Sequence, residues 1–181
     1  MPFDIAITSW INGFAGQSAL LDGLAILIAK AGVYVMVAAI ALRWFWHGDR
    51  AHDRHIAISC GAAVALGLGL NQIVLMFYDR VRPYDLGMTH LIVGKSADPS
   101  FPSDHATLAF AIAAMLVLKK DRFAPYFLVA ATLVGLARVF VGIHFLTDVL
   151  GGMATAAAAA LLVHLAFRPD SWLNRRLIAI L

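Results

Sequence analysis

The chain has 181 residues, of which 61% are hydrophobic and only 14% charged. That balance lies outside the range of soluble globular domains and marks an integral membrane protein. The net charge of +3 is too small to suggest a nucleic-acid partner, and a lone cysteine, Cys60, excludes an internal disulfide and a cysteine-based metal site.

The first basic residue is Lys30, so the N-terminus does not carry the positive start of a secretory signal. Residues Phe3 to Gln17 place Phe3, Ile7, Trp10, Ile11 and Phe14 roughly on one helical face. They are too few to cross a bilayer and read as a short interfacial helix, with Trp10 at headgroup level. Five apolar segments follow, each long enough or nearly long enough to cross: Leu20 to Trp44, Ile56 to Tyr78, His105 to Lys119, Phe123 to Val141 and Asp148 to Phe167. The third covers only ~21 Å at 1.5 Å per residue. The fold expected is therefore all-α, an integral membrane helix bundle with about five transmembrane helices plus the N-terminal interfacial one. Residues 1–181 read as a single membrane domain, with its motif-bearing core at about 56–165.

Basic residues orient the bundle. Arg43, Arg50, Arg54, Lys119, Lys120, Arg122, Arg168, Arg175 and Arg176 fall on one side of five crossings. Arg80, Arg82, Lys95 and Arg138 fall on the other. The first set is expected to be cytoplasmic. Trp44 and Trp46 read as interface anchors, and His47, His52 and His55 form a short His-rich inner loop. Gly61, Gly67, Gly69, Gly151, Gly152 and the Ala156–Ala160 run suit close helix contact. Asn71 and Gln72 are expected to bond to a neighbouring helix.

This topology gathers three polar stretches at one outer face: DRVRPYD, FPSDHAT and ARVFVGIHFLTD. His144 and Asp148 are four apart and share a face if the last helix begins near residue 144, which lets the carboxylate orient the imidazole. Arg138 sits near a membrane helix end, where a charge is costly and points to function. Arg80 and Arg82 lie against the positive-inside tendency, which argues for an anion to bind. Pro102 and Ser103 read as a helix start, where exposed N–H groups favour an anion. Each fragment has a plainer reading as a cap or a snorkelling side chain. Together, two histidines, a carboxylate and at least two arginines around a helix N-terminus fit phosphoryl transfer. Arginine holds phosphate oxygens, one imidazole attacks phosphorus, and the other donates a proton to the leaving oxygen. Two His and one Asp could also hold a metal, but the adjacent arginines oppose a cation.

These stretches resemble the three-part signature of the type 2 phosphatidic acid phosphatase family: Lys, six residues, Arg-Pro; then Pro-Ser-Gly-His; then Ser-Arg, five residues, His, three residues, Asp. Arg82-Pro83, then Pro102, Ser103 and His105, then Arg138, His144 and Asp148 carry the match. Three positions depart from it. Leu75 stands where the Lys would be, Ala137 where the Ser would be and Asp104 where the Gly would be. A Pro-Ser-Asp-His version without that Lys, with Asn71 eleven residues before Arg82, resembles the undecaprenyl-diphosphate phosphatases of the bacitracin-resistance type.

The resemblance implies His144 as nucleophile, Asp148 as its orienting partner and His105 as acid for the leaving group. It implies Arg82, Ser103 and Arg138 as phosphate ligands, with Asp104, Arg80 and Lys95 as accessories, the latter two as replacements for the missing Lys. No metal or other cofactor is implied. The implied substrate is a polyprenyl diphosphate, an isoprenoid lipid of peptidoglycan biosynthesis, at the outer face of a bacterial inner membrane. Other lipid phosphates (phosphatidylglycerol phosphate, phosphatidate, lipid A) or transfer to an acceptor lipid would use the same site. From a different class, a non-catalytic anion-binding protein or transporter would bind without releasing phosphate.

Overall fold

The computed structural model describes residues 2–45, 50–168 and 176. Among these residues six helices run in chain order: α1 (Pro2–Asn12), α2 (Ala19–Arg43), α3 (Arg50–Leu75), α4 (Asp104–Leu118), α5 (Ala124–Phe140) and α6 (Leu146–Ala166). Three of them, α2, α3 from Ala51 onward and α6, are long and apolar enough to cross a membrane, while α4 and α5 are shorter apolar helices. The chain is thus an all-helical membrane protein. Its spans match the apolar segments to within a few residues except at α3. That helix starts at Arg50 rather than Ile56 and stops at Leu75 rather than Tyr78. Hydropathy registers where a helix is apolar, whereas the first turns of α3 are polar and are held by packing, with Asp53 and His55 buried. Trp46, His47 and Arg175 lie outside the described residues.

The centre of the bundle is α4, which packs against α2, α3, α5 and α6. Beyond Asp104, His105 and Thr107 at its start it is apolar on every side, with Ala106, Ala109, Ala111, Ile112, Ala113, Met115 and Leu116 all buried. A helix with that pattern belongs inside a bundle rather than at its surface. Alanines let the neighbouring backbones come close, which is how helices associate where lipid removes the hydrophobic drive. Leu24, Leu27, Tyr34 and Val35 on α2 and Leu161 and Leu165 on α6 point outward instead, as lipid-facing side chains do.

Two glycines are fixed by geometry. A Cβ on Gly152 would stand 2.6 Å from the Ser103 carbonyl, so α6 can approach the start of α4 only with glycine there. Gly142 has φ +83 and closes the turn between α5 and α6 against the His90 carbonyl. Gly67 meets Thr107 of α4, but Gly61 and Gly69 have nothing within 4 Å, contrary to a packing role for all three.

The first helix is shorter than expected. It ends at Asn12 rather than Gln17, and the residues it buries are Asp4, Thr8 and Asn12. Phe3 and Trp10 are 76% and 68% exposed. So α1 turns its polar stripe to the protein and its apolar side outward.

Candidate active site

The 76–103 loop, the 141–145 turn and the starts of α4 and α6 meet at one end of the bundle. Backbone bonds fix the meeting: the Ser103 N–H donates to the Asp148 carbonyl at 3.0 Å, Ser100 N–H to the Arg80 carbonyl at 2.8 Å and Ile92 N–H to the Val141 carbonyl at 3.2 Å. Asn12 adds a side-chain bridge, donating to the carbonyls of Phe140 at 2.7 Å and His90 at 2.9 Å.

His144 lies at the centre and is 2% exposed. Its Nδ1 is 2.8 Å from the Ser100 carbonyl oxygen. A carbonyl only accepts, so Nδ1 carries the proton and Nε2 keeps its lone pair. Nε2 stands 3.4 Å from Nη1 of Arg82 and 3.4 Å from Nη2 of Arg138. Burial, opposed by the interaction of Nδ1–H with the Asp148 carboxylate and reinforced by the two arginines, pushes the imidazole down to about 4 from its usual 6.5. It is therefore neutral at physiological pH.

Both arginines keep their positive charge available. Arg82 is buried and, among the described residues, donates to neutral acceptors: the Asp98 carbonyl at 2.8 Å, the Ile143 carbonyl at 3.0 Å, and Ser96 Oγ and the Pro99 carbonyl, each at 3.2 Å. Arg138 reaches the Ala29 carbonyl at 3.4 Å, and its buried Nε has no partner among the described residues. Ser103 is fully buried at the start of α4, makes no side-chain cap bond, and its Oγ has no partner among the described residues either. Buried donors without acceptors are rare and call for an explanation. A tetrahedral oxyanion in front of the His144 lone pair would accept from Arg82 and Arg138, whose Nη atoms stand there.

Asp148 is fully buried, with Nδ1 of His144 at 3.5 Å from Oδ2. Because α6 begins at Leu146, His144 precedes the helix and does not share its face with Asp148 as the four-residue spacing suggested. The close partner of the imidazole is the Ser100 carbonyl, and Asp148 sits behind it. Its Oδ2 accepts from Ser100 Oγ at 2.5 Å and from the Phe145 N–H at 2.8 Å, while Oδ1 accepts from Arg80 at 2.7 Å.

Arg80 and Lys95 do not take up the position expected of a substitute for the missing Lys. Arg80 is committed to Asp148 and Asp4, each at 2.7 Å, and to Thr147 Oγ1 at 2.6 Å, and it lies over the Phe145 ring. Lys95 pairs with Asp85 at 2.9 Å on the exposed loop. Asp104 accepts from Asn71 Nδ2 at 2.7 Å, and the same amide bonds Thr107 at 2.8 Å. This is the neighbouring-helix bond expected of Asn71, whereas Gln72 is exposed. His105, in the first turn of α4, is half-buried and lies within electrostatic reach of Arg138, His144 and Arg82. Sequence reasoning did not single out Ser100, Thr147 or Asp4. Nothing in their local pattern distinguishes them, because their partners lie tens of residues away.

A family model described as the PAP2 superfamily matches residues 56–172. The chain is 29% identical over 147 residues to "Undecaprenyl-diphosphatase BcrC" of Bacillus subtilis (strain 168), covering 81% of this chain and 75% of that one. It is 28% identical over 151 residues to "Putative undecaprenyl-diphosphatase YbjG" of Escherichia coli (strain K12), covering 83% and 75%. Among solved structures, the crystal structure of Aquifex aeolicus LpxE shares the fold with a TM-score of 0.73 at 22% identity, over 87% of this chain and 92% of that one.

Proposed function

The chain belongs to the PAP2 superfamily, and on that premise we propose that it is a membrane-embedded undecaprenyl-diphosphate phosphatase. It removes the terminal phosphate of a polyprenyl diphosphate, leaving the lipid monophosphate and inorganic phosphate. The observation that carries this reading is the His144 Nε2 lone pair, 3.4 Å from a guanidinium on either side and buried with them. Relatives named for undecaprenyl-diphosphatase, similar over most of the chain, support the choice of substrate.

In this mechanism Arg82, Arg138 and Ser103 hold the oxygens of the terminal phosphate. His144 Nε2 attacks its phosphorus, and the bond from phosphorus to the bridging oxygen breaks. The bridging oxygen leaves on the lipid monophosphate and takes a proton from His105. The phosphorylated imidazole keeps its Nδ1 proton on the Ser100 carbonyl. Asp148 stabilises the positive charge that attack creates on the ring. Water then gives a proton to His105 and adds to phosphorus, the P–N bond breaks, and phosphate leaves with His144 neutral again. Charge develops on the phosphoryl oxygens in both steps, which is where preorganised guanidinium donors contribute most.

Residues 1–181 act as one membrane domain in this reading. The site faces the outer side of a bacterial plasma membrane, so that the lipid tail stays in the bilayer while the head reaches His144. The test is phosphate release by the purified protein from undecaprenyl diphosphate, beside phosphatidylglycerol phosphate, phosphatidate and lipid A. Preference for the polyprenyl diphosphate is the expected outcome. Preference for one of the others replaces the substrate, and binding without release from any removes the enzymatic reading.

A further inference from the structure

The polar stripe of α1 has two tasks, and only one of them concerns folding. At the start of α6 the residue before the helix, Phe145, has no side-chain oxygen to cap the first N–H groups. They are capped from α1 instead: Leu146 N–H donates to Thr8 Oγ1 at 3.0 Å and Thr147 N–H to Asp4 Oδ1 at 3.1 Å. Capping requires an acceptor oxygen, not a charge. The other oxygen of Asp4 accepts from Thr147 Oγ1 at 2.6 Å and from Arg80 Nη2 at 2.7 Å, and Nη1 of that arginine is 2.7 Å from Asp148.

The charges along this line decide what lies behind His144. Asp148 alone would present one negative charge, and Arg80 alone would cancel it. With Asp4 added, the Asp4–Arg80–Asp148 line is net negative. In front of the ring stand Arg82 and Arg138, both positive, with His105 on α4 in reach of all three and Asp104 acting on the two arginines. A ring that becomes cationic on attack is disfavoured by the front and favoured by the back.

We propose that Asp4 is a positioning residue for the phosphoryl transfer. It clamps Arg80 against Asp148 and keeps the support behind His144 anionic. The inference rests on the function proposed above. It gives α1 a part in turnover through a side chain far in sequence from the family motifs.

The experiment compares Asp4→Asn, Arg80→Gln and Ser9→Ala with the wild type, using undecaprenyl diphosphate in detergent from about pH 2.5 to about pH 8, where the acid limb of kcat reports the nucleophile. Asn at position 4 retains an oxygen for Thr147 N–H, but it puts an NH2 where the second oxygen accepts from Thr147 and Arg80, so the charge and the clamp on Arg80 are lost together. Asp4→Asn lowers kcat at least about tenfold with KM within about threefold, as expected for a group that acts by placing another. Its acid limb moves to lower pH, because the imidazole loses anionic support. Arg80→Gln also lowers kcat but moves the limb to higher pH, because two carboxylates are left uncompensated. Ser9→Ala, which removes only a bond to the Met88 carbonyl, keeps kcat and the limb of the wild type.

A purely structural role for Asp4 moves both limbs alike or neither, and either result overturns the inference. Wild-type kcat in Asp4→Asn overturns it as well. Should Asp4→Asn not fold, the Arg80→Gln limb decides alone, and an unmoved limb counts against the clamp. Phosphate release by the wild type with an unaltered Asp4→Asn removes only the clamp. No release by the wild type removes the function and the clamp together.

Discussion

Arginine sits at both ends of the bundle, and the two ends treat it in opposite ways. At the end away from His144, Arg43 donates to Asp53 through Nε at 3.1 Å and Nη2 at 2.5 Å, and to Asp121 through Nη1 at 2.7 Å. Those bonds join the end of α2 to the start of α3 and to the turn after α4, with the cation over the Phe123 ring. Arg43 is thus met by two carboxylates. At the other end Arg82 rests on carbonyls, Arg138 retains an unpartnered Nε and Ser103 an unpartnered Oγ among the described residues. A half-buried cation matched by carboxylates holds helices together. A buried cation matched only by neutral oxygens is poised for an anion that comes and goes.

If the contrast is right, substitutions at the open end act on turnover and those at the closed end on stability. The largest effect is expected for His144→Ala, which should lower kcat for phosphate release at least about ten-thousandfold while the protein stays folded. Arg138→Ala should lower kcat about a hundredfold to a thousandfold, because it removes a donor aimed at developing phosphoryl charge. Arg43→Ala should do the reverse. Leaving Asp53 and Asp121 without their cation should cost about 3 kcal/mol of stability in detergent unfolding, with specific activity of the folded fraction within about twofold of the wild type. Ser103→Ala should lower kcat roughly tenfold and leave the unfolding temperature unchanged, since its hydroxyl makes no bond to lose.

The smallest effect concerns pH. His144 titrates at about 4 in the folded protein, below its ordinary 6.5, so the unfolded chain takes up that proton first. Stability should fall as pH drops from about 6.5 to about 4 and then level off as far as this group is concerned. His144→Gln should lose that part of the slope, as read from unfolding temperatures across the same range. A slope identical in both proteins would place the imidazole in a more polar setting than the one described.

Much of this was legible in the sequence because it depends on local pattern. Apolar runs marked the helices, and the spacing of Arg82, Ser103, Arg138, His144 and Asp148 pointed to residues that the structure brings to one end. What was not legible depends on contacts between distant segments. Ser100 lies 44 residues from His144, yet it holds the ring through its carbonyl and Asp148 through its hydroxyl. The apolar stripe of α1 suggested an interfacial helix, and its apolar side does face outward. What its polar side does, capping bare N–H groups at α6 and holding Arg80, is not something α1 itself reveals. Arg80 was expected to face the phosphate because a cation was missing from the motif, but Asp4 and Asp148 together hold it behind the imidazole instead.

Rapid quenching of the purified protein with undecaprenyl diphosphate labelled in its terminal phosphate tests the central claim most directly. The account predicts label on the His144 imidazole, stable in alkali and lost in acid, and none on His144→Ala. Label on another side chain, or turnover undiminished in His144→Ala, would contradict it.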